Sequence, residues 1–566
     1  MAAMCSPKLF CRRTLFLLCL PVVLAGFFQR AAAAEWQWSA PLGVGRAFLW
    51  IPSSCRQVRA VVVGQNNMIE QGILEHPAMR KELSRLGIAE IFIAPPFDTW
   101  QSATNNDAAN EKFNALLKTL AADSGYGELE FAPIVPIGHS AMASYPWNFA
   151  AWNPQRTLAI LSIHGDAPQT TLVGNGRPNV DWGGRSIDGV PGLMVMGEYE
   201  WWEDRLTPAL KFRAAHPGAP VAMLAEAGRG HFDYSDDLVK FLALFIRKSA
   251  EARLPAGFSS DQPPVLKPVD PAKGWLVERF RPVGPTGHRR WHKDKTPGAQ
   301  AAKFARYAGD AHEAFWAFDR ELARLTEKLN ASQCCKQPQL LGFVQDGKVV
   351  PQVDIHQQVN LKLQPLADGV TFHLTATFLD SVESGSKNLS RWTGLPAGSP
   401  LGHASGGGPI VISRIAGPVA KIDANTFRFQ PDRVNATPDK RNADIWLLAE
   451  HPGDAKYKSI VQQALMKVPS FSDGAEQHIT FPEIPAVKSG TKSVKLNAVS
   501  DSGRPVYYFV REGPAEIDGD TLKFTTLPPR SKFPVKVTVV AWQLGRAAEP
   551  KLETAEPVTR EVLLTN

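Results

Sequence analysis

The stretch PIVPIGHSAMASYPWNF, positions 133 to 149, carries an apolar run into Gly138 and His139 and then presents Ser140. A serine hydroxyl is a weak nucleophile. It attacks a carbonyl carbon only when a base takes its proton, an acid orients that base, and N–H donors hold the oxyanion that forms. The chain holds candidates for the first two roles. His231 lies in the Gly-rich loop of AMLAEAGRGHFDYSDDLVKF, and PGLMVMGEYEWWEDRL, between serine and histidine, carries Glu198, Glu200, Glu203 and Asp204. Together these residues could perform acyl transfer through a covalent intermediate.

The elements that must position them follow from periodicity. RAVVVG (59–64), IAEIFIAP (88–95), FAPIVPI (131–137), TLAILSIHG (157–165), GLMVMGE (192–198) and PVAMLAE (220–226) are short apolar runs bounded by turn residues. They alternate with helical spacing, first from Ile73 to Leu86 with a stop at Gly87, then in AANEKFNALLKTLAAD, after Ser140, and in DDLVKFLALFIRKSAEAR. Strands of this kind alternating with helices predict a mostly parallel sheet covered on both faces. Its strands end where the serine, the carboxylates and the histidine stand.

IGHSAMA resembles the nucleophile elbow of the α/β-hydrolase family, with Gly138 two residues before Ser140 and Ala141 and Ala143 small. It departs from G-x-S-x-G at Met142, where that family has a small residue. The order Ser140, acid, His231 and the strand contexts across residues 45 to 250 match the family. The resemblance implies an acid three residues after the glycine that ends its strand, which from Gly197 is Glu200, with Asp204 as the alternative. It also implies an oxyanion hole built from the N–H of Ala141 and a donor in VVVGQNNMIEQG, Gln65 or Asn66, or the side-chain amide of Asn66 or Asn67. No metal or cofactor is implied.

The chain has 566 residues, 21% of them charged and 44% hydrophobic, ordinary for a folded multidomain protein. Its first 34 residues differ. Lys8, Arg12 and Arg13 precede the apolar run from Leu15 to Phe28, and Ala32-Ala33-Ala34 follows, the pattern of a secretory signal peptide. The run is short and broken by Pro21, so no stable membrane insertion is expected. Four of the excess positive charges in the formal +7, those of Lys8, Arg12, Arg13 and Arg30, lie in this leader. The remainder is too nearly neutral to argue for nucleic acid. Cleavage would leave Cys55, Cys334 and Cys335, with no metal-ligand spacing and at most one bridge from Cys55 to the adjacent pair.

Beyond the predicted α/β-hydrolase domain (35–255), residues 256–335 read as a linker and helical segment. It contains the basic-aromatic cluster GHRRWHKDK (287–295) and a helix from Asp310 with Phe315, Phe318, Leu322, Leu325 and Leu329 on one face. Residues 336–472 change to period two. TFHLTATF alternates, and FVQDGKVV has a hairpin turn at Asp346-Gly347, so a β-sandwich is expected. Residues 473–566, from HITFPEIP through SGRPVYYFVREGPAEIDGDTLKF to VTVVAWQLG, resemble a bacterial immunoglobulin-like module that presents or spaces and does not catalyse. There Val535, Val537 and Val539 alternate with Lys536 and Thr538.

The expected protein is therefore a secreted or periplasmic serine hydrolase acting on small-molecule or polysaccharide esters, with β domains able to touch glycan or cell surface. Two alternatives share its features: a secreted peptidase with the same triad, and a hydrolase-shaped binding protein without catalysis. Trp100, Trp152, Trp182, Tyr199, Trp201 and Trp202 would either line a substrate cleft or fill the core.

Overall fold

Apart from Gln65 and Glu90, every residue in four central strands of this protein is apolar or small, and in the structure all of them, these two included, are buried. The structure, a computed structural model, describes residues 35–102, 105–171, 178–257, 259, 261–282, 298–353, 357–434 and 443–566. The leader and the 287–295 cluster lie outside the described residues. Residues 35–566 form one compact unit. Among the described residues no helix is long and apolar enough to cross a membrane.

The α/β core is an eight-stranded sheet. Its strands are β1 (Trp38–Leu42), β2 (Gly45–Trp50), β3 (Ala60–Gln65), β4 (Ile88–Ala94), β5 (Ile134–His139), β6 (Ile160–Ile163), β7 (Gly192–Gly197) and β8 (Val221–Glu226), in the order β1-β2-β4-β3-β5-β6-β7-β8. From β4 through β3 to β8 every pairing is parallel. The sequence runs had indicated these six strands. The antiparallel hairpin β1–β2, which pairs β2 to β4, had gone unread because WSAPL and GRAFLW mix polar and apolar residues without a clear period.

The helices are α1 (Glu70–Leu74), α2 (Pro77–Leu86), α3 (Asn106–Ser124), α4 (Tyr145–Trp152), α5 (Glu203–Ala215) and α6 (Asp236–Arg253). The helix expected over 73–86 is two helices, because Pro77 cannot continue a helix from Leu74 but suits the first turn of the next. Gly87 ends α2 at φ +68°, as expected. Ser235 caps α6 by accepting from Leu238 N–H. Under α3 and α4, Phe113, Leu117 and Phe149 pack on Val61, Val63, Ile91 and Ile134.

The segment read as linker contains a small sheet: Trp275–Glu278 is the central strand between 302–303 and 314–317. Asp310 caps only a short turn at Ala311–Glu313. Phe315 lies on a strand, and the helix starts at Arg320, where Asp319 accepts from Leu322 N–H. The C-terminal part holds several small β-sheets, among them Gln358–Leu361, Ile460–Lys467, Asp444–His451 and Val411–Ala416 in one and Val487–Lys488, Val558–Thr565, Val535–Trp542 and Tyr507–Glu512 in another. The Asp346-Gly347 turn is present, both residues at positive φ. TFHLTATF is not one strand. It breaks at Leu374, and its halves pair with different sheets. Cys55 is buried and forms no disulfide, and Cys334 and Cys335 are exposed, so the bridge from Cys55 to the pair entertained from sequence is not formed.

Thr538, which alternates with the valines of its strand, is fully buried, and its hydroxyl donates to Glu512 (2.7 Å). Glu512 also takes a hydrogen bond from Ser39 and an ion pair from Arg46 (2.7 Å), tying β1 and β2 to the C-terminal sheet. Burial alone would raise this carboxyl, but Ser39, Arg46 and Thr538 outweigh it and hold the group down at about 2. A depressed carboxylate stabilises the fold above its unfolded value and loses that contribution as pH falls through the folded one, about 3 kcal/mol for this shift. Glu512→Gln should therefore cost on the order of 2–3 kcal/mol in urea unfolding at pH 7. The gap between wild type and variant should close as pH drops from 4.5 toward 2.

Candidate active site

Strand β5 runs directly into the serine. Ser140 has φ +51°, a left-handed conformation that costs a non-glycine residue about 1–3 kcal/mol and persists only where the surroundings enforce it. The enforcement is crowding. A Cβ on Gly138 would lie 2.1 Å from the carbonyl oxygen of Met142, and one on Gly165 would lie 1.9 Å from the Ala143 Cβ. Small residues are thus required at 138, 143 and 165. Position 142 is not among them. Met142 closes a single 3₁₀ turn, Ser140–Met142, with its side chain half-exposed, so its bulk finds room. The helix expected immediately after Ser140 begins only at Tyr145.

Ser140 Oγ donates to His231 Nε2 at 2.8 Å. His231 Nδ1 donates to Glu200 Oε2. These two contacts fix the imidazole tautomer, with the proton on Nδ1 and the lone pair of Nε2 toward the serine. Burial lowers His231 below the ordinary imidazole value despite the pull of Glu200, so the ring is neutral and able to accept a proton at neutral pH. Asp204, the alternative acid, is elsewhere. It stands in the first turn of α5 and accepts from its neighbour Trp202 Nε1 at 3.0 Å.

Glu200 is buried and takes four donors. Oε1 accepts from His164 Nδ1 (2.5 Å) and Gly197 N–H (3.0 Å), and Oε2 from His231 and Arg205 Nη1 (3.1 Å). Burial alone would raise the carboxyl, but the positive charge that His231 and His164 carry when protonated, and their hydrogen bonds, hold it well below the usual range, so it is a carboxylate. The acid and base loops also touch through their backbones. Tyr199 N–H donates to Arg229 C=O at 2.9 Å, and a Cβ on Gly197 would lie 2.3 Å from Gly230 C=O.

His164, Arg205, His139 and Glu70 were not singled out from sequence. His164 follows β6 directly, at the same sheet edge as Ser140 after β5, Glu200 after β7 and His231 after β8. That strand-end placement was the available signal. Burial keeps His139 well below the ordinary imidazole value. The neutral ring donates from Nε2 to the carbonyl of His231 (2.8 Å) and accepts at Nδ1 from the Asn67 amide (3.1 Å). Glu70 joins the loop after β3 to the elbow by accepting N–H bonds from Asn67 (3.0 Å), Met68 (2.8 Å) and His139 (2.8 Å).

These bonds sort the candidate oxyanion donors. The Asn66 backbone N–H donates into the sheet, to Ile93 C=O at 2.8 Å, and is not available for the role considered from sequence. The Gln65 side chain is turned to the 97–98 loop, where its Oε1 accepts from Phe97 N–H (2.9 Å). The Asn67 amide is held by His139. Ala141 is exposed beside Ser140, and the half-buried Asn66 amide has no hydrogen-bond partner among the described residues.

The loops are braced from the β-rich part. Lys458 pairs with Glu198 (2.9 Å), Tyr199 O–H donates to Ser459 C=O (2.8 Å), Trp392 Nε1 donates to Tyr199 C=O (2.9 Å), and Arg229 pairs with Glu450 (2.7 Å). The aromatic residues divide accordingly. Trp100, Trp182 and Trp201 are core, Tyr199 lies under the β-rich part, and Trp202 and Trp152 are only partly buried.

His164, Glu200 and His231 place potential ligand atoms within 4.8 Å of one another. Glu200, however, holds an imidazole N–H on each of its oxygens, so a cation there would have to displace both. We read the three as a hydrogen-bonded array.

Among solved structures, the chain is similar to a phospholipase/carboxylesterase from Dyadobacter fermentans at 15% identity and TM-score 0.24, covering 38% of this chain and 97% of that one. It is also similar to an S-formylglutathione hydrolase from Agrobacterium tumefaciens (14%, TM-score 0.26, 38% and 99%). A third is LpqC, a poly(3-hydroxybutyrate) depolymerase from Bordetella parapertussis (12%, TM-score 0.26, 38% and 88%). Likenesses at such scores carry no argument. No protein-family model and no curated protein matches the chain.

The contact between the acid and base loops can be tested on its own. Gly197→Ala must push its Cβ against two carbonyls, Gly230 at 2.3 Å and Arg229 at 2.7 Å. Backbone cannot move aside as a flexible side chain would, so the variant should lose about 1–3 kcal/mol in urea unfolding. A loss of a few tenths would mean that the two loops are not locked together.

Proposed function

We propose that the chain is a serine hydrolase of the α/β-hydrolase type that cleaves carboxylic esters through an acyl-enzyme. The observation that carries this reading is the unbroken run Ser140 Oγ, His231, Glu200, at the ends of parallel strands and with the serine in a strained turn. His231 takes the Ser140 proton as Oγ attacks the ester carbonyl. The tetrahedral oxyanion forms beside the Ala141 N–H and the Asn66 amide, the donors we assign to it. His231 then gives its proton to the leaving alkoxide, and the acyl group remains on Ser140. Water attacks that acyl group with His231 again as base, releasing the acid and restoring the serine. Glu200 stabilises the imidazolium formed in each half. We read the leader as directing this activity outside the cytoplasm.

Hydrolysis of aryl acetates by purified protein tests the proposal. Ser140→Ala and His231→Ala should abolish it. Glu200→Gln should lower kcat/KM by about 10³–10⁴-fold. Asp204→Asn should change it by less than about twofold, as an exposed residue outside the array does. Because His231 is neutral down to below its ordinary value of 6.5, the rate should rise with pH along an acid limb centred below 6.5. Full activity in Glu200→Gln with loss in Asp204→Asn would reverse the acid assignment. Cleavage of peptides and not esters would favour a peptidase.

A further inference from the structure

The proposed triad uses one imidazole on Glu200, yet the structure puts two there. His164 is fully buried, sits at φ +50° directly after β6, and faces a carboxylate at each ring nitrogen. Nδ1 lies 2.5 Å from Glu200 Oε1, and Nε2 lies 3.2 Å from Glu226 Oε2, an ion-pair approach more than an aligned hydrogen bond. Glu226 ends β8, the strand that leads to His231, and its other oxygen accepts from Ser235 O–H (2.8 Å).

We propose that His164 is a positioning residue for catalysis: a buried imidazolium that bridges Glu226 to Glu200, holds the triad acid ionised and oriented, and weakens His231 as a base. This rests on the triad reading above. The argument is one of donors. A neutral imidazole has one N–H and one lone pair, so one of its nitrogens would face a carboxylate oxygen lone pair to lone pair among buried side chains. With both nitrogens protonated, each carboxylate meets a donor and the two buried negative charges are bridged by a positive one. Arg229, paired with Glu450 and Asp233, turns a positive charge toward Glu226 as well. Arg205 adds a second positive charge on Glu200 and lies 3.7 Å from Asp166, His139 is neutral, and Asp233 is among the acids that feel His164. The rings of His164 and His231 lie 6.0 Å apart, so a charge on the first opposes protonation of the second. Consistent with this, the pull of Glu200 and Glu226 outweighs burial and raises His164 to about 10.

The sign of the effect follows. In His164→Gln the opposing charge of His164 is gone while that of Arg205 stays, so His231 binds its proton more tightly. The acid limb of kcat/KM should move up by about one pH unit. Because Glu200 is held less firmly, kcat should fall by about tenfold with little change in KM. A residue that only filled space would lower activity without moving the limb. Nitrogen-15 histidine NMR of the wild-type protein reads the charge directly. At pH 8 one buried ring should carry protons on both nitrogens, assigned by its loss in His164→Gln or, should that variant not fold, by its persistence in His231→Gln. A neutral His164 at pH 8, or an unmoved acid limb in an active variant, overturns the proposal. Wild-type protein without Ser140-dependent hydrolysis overturns the triad reading instead, and the ring protonation then still decides for or against the imidazolium bridge.

Discussion

The Glu200 carboxylate is the constraint on which the site depends. It is a charge removed from water, and such a charge is tolerated only when every lone pair is met. Four donors meet it, from a backbone amide, an arginine and two histidines. The same four bonds fix the direction of each oxygen. The tautomer of His231 follows, and so does the lone pair that faces Ser140.

The fold makes that gathering possible by placing β5, β6, β7 and β8 side by side and parallel, so that Ser140, His164, Glu200 and His231 emerge from one edge of the sheet. A parallel sheet brings strand ends together but leaves the loops between them loose. Here the loops are locked twice. Gly197 lets the acid loop touch the base loop, and Lys458, Ser459, Trp392 and Glu450 press on both from the β-rich part. The β-rich residues 336–472 therefore contribute to the site's geometry.

The sheet was legible in the sequence because parallel strands are buried on both faces and read as continuous apolar runs. The β1–β2 hairpin was not, since its residues follow neither period. Ser140, His231 and Glu200 were legible from their order and strand contexts. The bonds that close the Asn66 backbone and the Gln65 side chain to an oxyanion role depend on strand register and on a loop thirty residues away, which no local pattern carries. His164 was hidden because a histidine at the end of an apolar strand reads as part of the strand. Its role comes from Glu226 and Glu200, 62 and 36 positions along the chain. Met142 looked like a departure from the elbow motif, and its half-exposed side chain on the Ser140–Met142 turn explains why its bulk is harmless.

The most direct measurement is to treat the folded protein with a fluorophosphonate and locate the adduct by tandem mass spectrometry of its peptides. The account predicts a single covalent adduct on Ser140, absent after the serine is replaced by alanine and blocked when His231 is replaced. An adduct on a different serine, or none on folded protein, would contradict it.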